Sequence, residues 1–341
     1  MLLLRKVLYP SNNLKHFSIY NMAKVDFTYF YKQKYLNVAE IGTSDYDILV
    51  STFNQTDRVC EVFKAINAKE KYWIILPDYE NNLFVGNETK ISVPYEGYSQ
   101  LSAFIDTLQL NEDTKLCIDI TGFLIPHMLF TIRYLQKKRK INHIDIIYTE
   151  PQKYTEEENT NFSDFFHDVA QVLGYGGSPN PNMENDLLII SSGYDDSRIT
   201  DVAGKKKHAR KIQLFGFPPL QADMFQENML KAYKAESAVG TDGFKNLDLN
   251  LFAPANDPFV TAQAIKKYVD REQKCQPFTN IYLAPVSTKP QALGMALYCL
   301  WEYSEGNKPL SIIYPICDKY YGDTCVGISK IWKYHIELPL T

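Results

Sequence analysis

The sequence predicts an α/β protein built from two Rossmann-like halves, each around a mainly parallel sheet. Three observations predict it. Short β-rich runs alternate with helical patterns along most of the chain. Each run ends in a polar turn rich in Ser, Thr or Gly. The order of run, turn and helix in the first half returns in the second. Strands that alternate with helices pair in parallel through right-handed crossovers, which defines this class.

The first 44 or so residues, with many Tyr and Phe, are expected to form edge strands or a cap. The first half spans 45–150. Asp47-Ile48-Leu49-Val50 reads as a strand covered on both faces, because a short apolar run bounded by turn formers suits that position. Val59, Val62, Phe63 and Ile66 follow at helical spacing. Trp73 to Pro77 and Lys115 to Ile120 are further strands, a helix is expected over about 125–138, and Ile144 to Tyr148 is a strand. The join, 151–184, holds Glu156-Glu157-Glu158 and an expected helix carrying Phe162, Phe165, Phe166, Val169 and Val172. A linker with Gly174, Gly176, Gly177, Pro179 and Pro181 closes it. The second half spans 185–341, with strands at 186–190, 212–215, 281–284 and 311–315 and a helix over about 289–304. Gln221 to Glu236 reads as an amphipathic helix with Met224, Phe225, Met229, Leu230 and Tyr233 apolar. Asp257-Pro258 reads as a cap and first position of another helix. Ile328 to Leu338 is expected to return to the sheet as a strand.

The two halves align by offset. Ser51 matches Ser191 and Arg58 matches Arg198, each 140 residues on, and Ile74 falls on Leu214. Later the offset is 164: Pro126 falls on Pro290, Leu129 on Leu293, Tyr134 on Tyr298 and Cys117 on Ile281. The growth of 24 residues places an insertion near 216–260. The matching order of strand, turn and helix in the two halves points to an internal duplication, with two unrelated α/β units of the same grammar as the alternative.

Composition sets the class of partner. The chain has 341 residues, 36 Lys and Arg against 40 Asp and Glu, and 45% hydrophobic residues. These values exclude a disordered or collagen-like chain, and the mild acidity argues against a general nucleic-acid coat. The basic run Lys205 to Lys211 reads as a solvated loop, with a phosphate or nucleic-acid contact as the alternative. Six scattered cysteines without a C-x-x-C pair predict a reducing, cytoplasmic setting and no zinc site. No apolar run approaches a membrane span.

In open parallel sheets, ligands bind beyond the carboxyl ends of strands, where strand order reverses. The candidate ligand residues are therefore the turns there: Ser51, Thr52 and Asn54; Thr121 and Gly122; Ser191, Ser192, Gly193 and Tyr194; Ser287, Thr288 and Lys289. Hydroxyls, glycine and helix N-terminal N–H groups cradle anions, although Ser and Thr are also ordinary helix caps. Arg58, Arg198 and Lys289 would supply charge, and Tyr194 a face for a base. His127, just after the Thr121-Gly122 turn, reads as a packed helix-start histidine or as an acid/base in slow ligand cleavage. There is no G-x-x-x-x-G-K-[ST] and no His-Glu-x-x-His, and Gly174-Tyr175-Gly176-Gly177 opens no helix, so no cofactor is expected.

Leu116 to Gly122, followed by a helix, resembles the strand–Thr-Gly–helix motif of CARF domains, the CRISPR-associated Rossmann-like sensors of cyclic oligoadenylates. Asp47 to Asn54 is similar to their first strand and ligand-binding turn. Two such units in one chain resemble SAVED domains, the related sensors of antiphage systems. The resemblance covers roughly 45–150 and 185–317. It departs from the family's Thr-Gly-Gly-Thr-Lys at Phe123-Leu124-Ile125, and in the second half at Ser287-Thr288-Lys289, which lacks the glycines. It implies a cytoplasmic sensor of antiviral defence that binds a cyclic oligonucleotide or related nucleotide and relays to a protein effector or a second copy. Two other readings stay open: a nucleotide- or sugar-nucleotide-processing enzyme using Asp119, Asp195, Asp196 or His127, and a structural subunit of a defence complex.

Overall fold

A computed structural model of the chain describes residues 25–76, 89–92, 97–155, 163–240, 242–246, 249–302, 308–321 and 324–339. The expected cap over 1–24, Pro77, the glutamates 156–158, Phe162 and Thr241 lie outside the described residues. In chain order the strands are β1 (Lys32–Tyr35), β2 (Asp45–Thr52), β3 (Asn67–Ile75), β4 (Thr89–Ser92), β5 (Leu116–Asp119), β6 (His143–Tyr154), β7 (Ser163–Gln171), β8 (Leu187–Ser192), β9 (Arg210–Gly216), β10 (Leu251–Ala253), β11 (Ile281–Pro285), β12 (Leu310–Tyr320) and β13 (Cys325–Glu337). The helices are α1 (Val38–Ile41), α2 (Asp57–Ala65), α3 (Tyr98–Thr107), α4 (Ile125–Lys137), α5 (Asp196–Lys205), α6 (Met224–Lys234), α7 (Glu236–Val239), α8 (Asp242–Lys245), α9 (Pro258–Glu272) and α10 (Lys289–Glu302).

The strands form two sheets with the same plan. One runs β4-β3-β2-β5-β6-β13-β1 and the other β10-β9-β8-β11-β12-β7. In each, the first five strands are parallel and the sixth is antiparallel. Numbered within its own half, each parallel set has the order 3-2-1-4-5, which is Rossmann-like. The central strands read as apolar runs because helices cover both faces. Leu187, Leu188, Ile189 and Ile190 of β8, for example, have no exposed surface.

The sixth strands are exchanged. β7 follows β6 in sequence but pairs with β12, with Tyr314 opposite Ala170. β13 follows β12 but pairs with β6, from Cys325 opposite Tyr154 to Glu337 opposite His143. Each half therefore completes the other's sheet. The expected helix over 162–172 is corrected to strand β7. Its short apolar run has no decisive period, and the open edge of β12 satisfies its backbone. The expected returning strand is β13, but the sheet it joins is that of the first half. The edge strand expected in the head is β1, paired with β13.

The register refines the repeat. Ser51 lies opposite Trp73 and Ser191 opposite Leu214, so Trp73, not Ile74, matches Leu214. Leu49 lies opposite Cys117 and Ile189 opposite Leu283, so Cys117 matches Leu283 rather than Ile281. The sheet offset there is 166 while α4 and α10 start 164 apart, so the second strand-to-helix turn is two residues shorter. The insertion comprises α6, α7 and α8. Its α6 buries Met224, Asn228 and Ala232, whereas Leu230 and Tyr233 point to solvent, so the apolar residues read from the sequence are divided between core and surface.

Local chemistry starts α9 where the sequence predicts: Asp257 accepts from the N–H groups of Phe259 and Val260, with Pro258 in the first turn. Asp195, read from the sequence only as part of a turn, accepts from the N–H groups of Ser197 and Arg198 and caps α5. α4 and α10 pack against each other across the two halves. Leu129 and Ile132 share one buried core with Leu293, Met295 and Leu297. The basic run lies at the amino end of β9. Lys205 pairs with Asp168 at 2.8 Å and Arg210 with Glu272 at 2.9 Å.

Two glycines permit close approach of the first turn in each half. A Cβ on Gly122 would lie 1.9 Å from the Thr52 carbonyl oxygen, and one on Gly193 2.3 Å from that of Val286. Gly122→Ala is expected to destabilise the protein by about 2–3 kcal/mol in urea unfolding. Gly204→Ala in α5, where a Cβ meets nothing within 4 Å, is expected to stabilise by up to about 1 kcal/mol. A fragment ending at residue 162 lacks the partner of β6. It is expected to stay unfolded by circular dichroism and to fold when a peptide spanning 324–339 is added.

Candidate ligand-binding cleft

Both sheets point the carboxyl ends of their parallel strands into one cleft with a cavity volume of about 180 Å³. It covers both points where strand order reverses. In the first half these contribute Asn54 after β2 and Phe123 to Ile125 after β5. In the second they contribute Gly193 to Asp195 after β8 and Val286 to Lys289 after β11. Leu220, Met224 and Asn228 come from the insertion and the loop before it.

Each half presents an arginine from the first turn of a helix beside two tyrosines six residues apart on its fifth strand. These are Arg58 with Tyr148 and Tyr154, and Arg198 with Tyr314 and Tyr320. Arg58 Nη1 donates to the Thr149 carbonyl at 3.2 Å. Arg198 Nη1 donates to the Tyr314 hydroxyl at 2.9 Å, and its Nε pairs with Asp195 Oδ2 at 3.3 Å. Its guanidinium carbon lies 5.8 and 5.6 Å from the ring centres of Tyr314 and Tyr320, within cation–π range. Burial pushes the Tyr154 hydroxyl up to about 12, so the ring stays neutral at physiological pH. Tyr154 stacks on Tyr194 of the other half, centroids 6.5 Å apart.

Lys289, at the start of α10, reaches from the second half to the first, where its Nζ donates to the Thr121 carbonyl at 2.9 Å. Burial, reinforced by the neighbouring Arg58, lowers its pKa to about 7, against the pull of Cys325 and Asp119. Asp119 is fully buried behind this turn. It accepts from Ser51 Oγ at 3.0 Å and from the Thr121 N–H at 2.9 Å, and burial raises its pKa against these bonds. Three cations and one carboxylate line the cleft, among aromatic and apolar walls. That combination suits a ligand with an anionic group and a planar ring.

The structure brings Asn54, Arg58, Gly193, Tyr194, Arg198, Ser287, Thr288 and Lys289 to this cleft. Ser51, Thr52, Thr121, Gly122, Ser191 and Ser192 sit just behind it and do not line it. Ser192 Oγ donates to Gln213 Oε1 at 2.7 Å, Ser191 Oγ to the Ala284 carbonyl at 3.5 Å, and Thr121 Oγ1 accepts from the Thr149 N–H at 3.0 Å. These hydroxyls hold the sheet ends together. His127 is buried against Tyr98, ring centres 5.4 Å apart, and does not line the cleft. Asp196 pairs with Lys231 at 3.8 Å. Among the described residues no cluster of three or more His, Cys, Asp or Glu could hold a metal, and no helix is long and apolar enough to cross a membrane. The sequence reading missed Phe123, the four fifth-strand tyrosines and Asn228. The repeated six-residue spacing of the tyrosines was a signal that could have found four of them.

No family model and no curated protein matches the sequence. Among solved structures, the chain is similar to one described as an adenylation, ketoreductase and pseudo-Asub multidomain structure of a keto acid-selecting NRPS module. The identity is 9% and the TM-score 0.21, over 85% of this chain and 35% of that one. The chain spans about a third of that chain's length.

Lys289→Met is expected to raise Tm by a few degrees at pH 7. A lysine whose folded pKa lies near 7 must shed part of its proton on folding, so its burial costs stability below its unfolded pKa of about 10.4. That cost is complete below about pH 7 and fades as pH rises toward 10.5. The gain in Tm should shrink over the same window, and a pH series of thermal melts checks it.

Proposed function

We propose that the protein binds a phosphorylated nucleotide in the cleft between its halves, with cyclic oligonucleotides as the class that best suits its doubled geometry. The observation that carries this reading is the pair of arginine–tyrosine–tyrosine sets that face one cleft from two copies of one plan. Cations answer phosphate, and tyrosine faces stack on bases at roughly 1–3 kcal/mol each. The cavity volume of about 180 Å³ is below the roughly 300–1,000 Å³ of pockets for drug-sized ligands, so a cyclic oligonucleotide would extend beyond it.

A sensing role agrees with the position of α6. Its Met224 and Asn228 line the cleft while Leu230 and Tyr233 face outward, so one rigid helix connects the ligand with a surface open to an effector or a second copy. In that role the chain would serve antiviral signalling, as its resemblance to CARF and SAVED sensors implies. Turnover has less support. Of Asp119, Asp195, Asp196 and His127, Asp195 alone lines the cleft, and it caps α5 and pairs with Arg198.

Calorimetric titration with cyclic oligoadenylates, cyclic dinucleotides and ATP near physiological salt is expected to give a Kd of about 1 μM or tighter for at least one of them. Tyr154→Ala with Tyr194→Ala should weaken it roughly 10-fold or more. Failure of all these ligands to bind would sink the reading.

A further inference from the structure

A second cavity, of about 510 Å³, lies at the opposite end of the first sheet. It sits at the amino ends of β2, β5 and β6 and beside the carboxyl end of β13, and it shares no lining residue with the cleft. Its volume falls within the roughly 300–1,000 Å³ of small-molecule sites.

Its floor carries buried charge. Lys333 and His335 stand two residues apart on β13, so their side chains leave the same face of the sheet. His335 lies opposite Asp145 of β6, and its Nδ1 meets Asp145 Oδ1 at 2.6 Å. Tyr46 of β2 donates its hydroxyl to the other carboxylate oxygen at 2.7 Å. Burial raises the pKa of Asp145, but the hydrogen bonds from His335 and Tyr46 and the charges of His335 and Lys333 outweigh it and hold the carboxyl below its ordinary value. Both oxygens of Asp145 are thus engaged. Lys333 is different. It is only 7% exposed, and its ammonium donates to Ser44 Oγ at 3.1 Å and lies 5.8 Å from the ring centre of Tyr35. Asp145 acts on it through charge alone, and no described carboxylate pairs with it directly. An ammonium has three donors, and a buried cation is costly until it is paired. The outer wall has the opposite sign. Its exposed carboxylates are Asp45, Glu112 and Asp113, against Lys115 and His143.

We propose that this cavity binds a small zwitterion of the amino-acid class, with its carboxylate on Lys333 and its ammonium toward Glu112 and Asp113. A carboxylate supplies the direct partner that the buried ammonium lacks, in a charge-assisted hydrogen bond. A simple anion would also meet the outer carboxylates, and a simple cation would meet Lys333, so one ligand carrying both charges satisfies the two layers together. The buried Leu116 and Ile144 in the wall give its carbon chain an apolar surface. The site is independent of the nucleotide reading, because it lies at the other end of the sheet.

The test is calorimetric titration of the full chain with L-lysine, L-leucine and L-glutamate. At least one is expected to bind with a Kd of about 1 mM or tighter. Succinate and putrescine, which carry one sign of charge each, should bind it roughly 10-fold more weakly or worse. The amide of the bound amino acid, which lacks the carboxylate, should lose roughly 10-fold or more, and so should the acid itself on Lys333→Met. The amide comparison decides the point even where Lys333→Met fails to fold. Glu112→Gln with Asp113→Asn changes two exposed side chains. It should weaken the amino acid about 3-fold, as exposed charge pairs do, and leave succinate bound no more weakly. Absence of binding by all three amino acids, an amide as tight as its acid, full affinity in Lys333→Met, or succinate as tight as the amino acid would overturn the proposal. Amino-acid binding without any nucleotide binding would leave it standing and remove the nucleotide reading. Nucleotide binding without any amino-acid binding would do the reverse.

Discussion

Backbone hydrogen bonding across the exchanged sixth strands is the constraint on which the rest of this structure depends. A strand edge must be paired or solvated. β6 is closed by β13 from the far end of the chain, and β12 is closed by β7 from the middle. Neither half is complete without the other, so the halves cannot drift apart as two linked domains would. The packing of α4 on α10 adds a continuous apolar core to the same join. Glu150 adds a polar one. It is almost wholly buried on β6, and accepts from Asn256 Nδ2 at 2.7 Å, from Trp332 Nε1 at 2.6 Å and from Lys330 Nζ at 3.3 Å. A buried carboxylate is tolerated when its lone pairs are filled in this way, and here all three donors come from the second half of the chain while Glu150 belongs to the first.

The cleft follows from that exchange. Each Rossmann-like sheet has its crevice where strand order reverses, between β2 and β5 and between β8 and β11. With the halves locked by their shared strands, the two crevices open onto one space. Side chains then cross it: Tyr154 to Tyr194, and Lys289 to the Thr121 carbonyl. Duplication supplies two sets of arginine and tyrosines, and Asp195 beside Arg198 and Lys289 beside Arg58 make the sets unlike. Symmetry of fold and asymmetry of charge are thus separate properties of the same site.

The sequence by itself determined the α/β class, the two halves and the positions of most parallel strands. These rest on apolar runs, caps and turns, which act over a few residues. Asp257 caps its helix as its neighbours dictate. The matched Arg58 and Arg198 were visible as a repeat and do meet in one cleft. Only the tertiary structure decided which hydroxyls face the cleft and which face the sheet. Ser51 and Thr121 are spent on Asp119, or on the backbone around it, a contact between strands 68 residues apart in sequence. Only the tertiary structure, too, made a strand of 163–171 and sent β13 to the first sheet, because an edge chooses its partner in space. The lowered proton affinity of Lys289 belongs to the same class: it comes from burial and from Arg58, which stands 231 residues earlier in the chain.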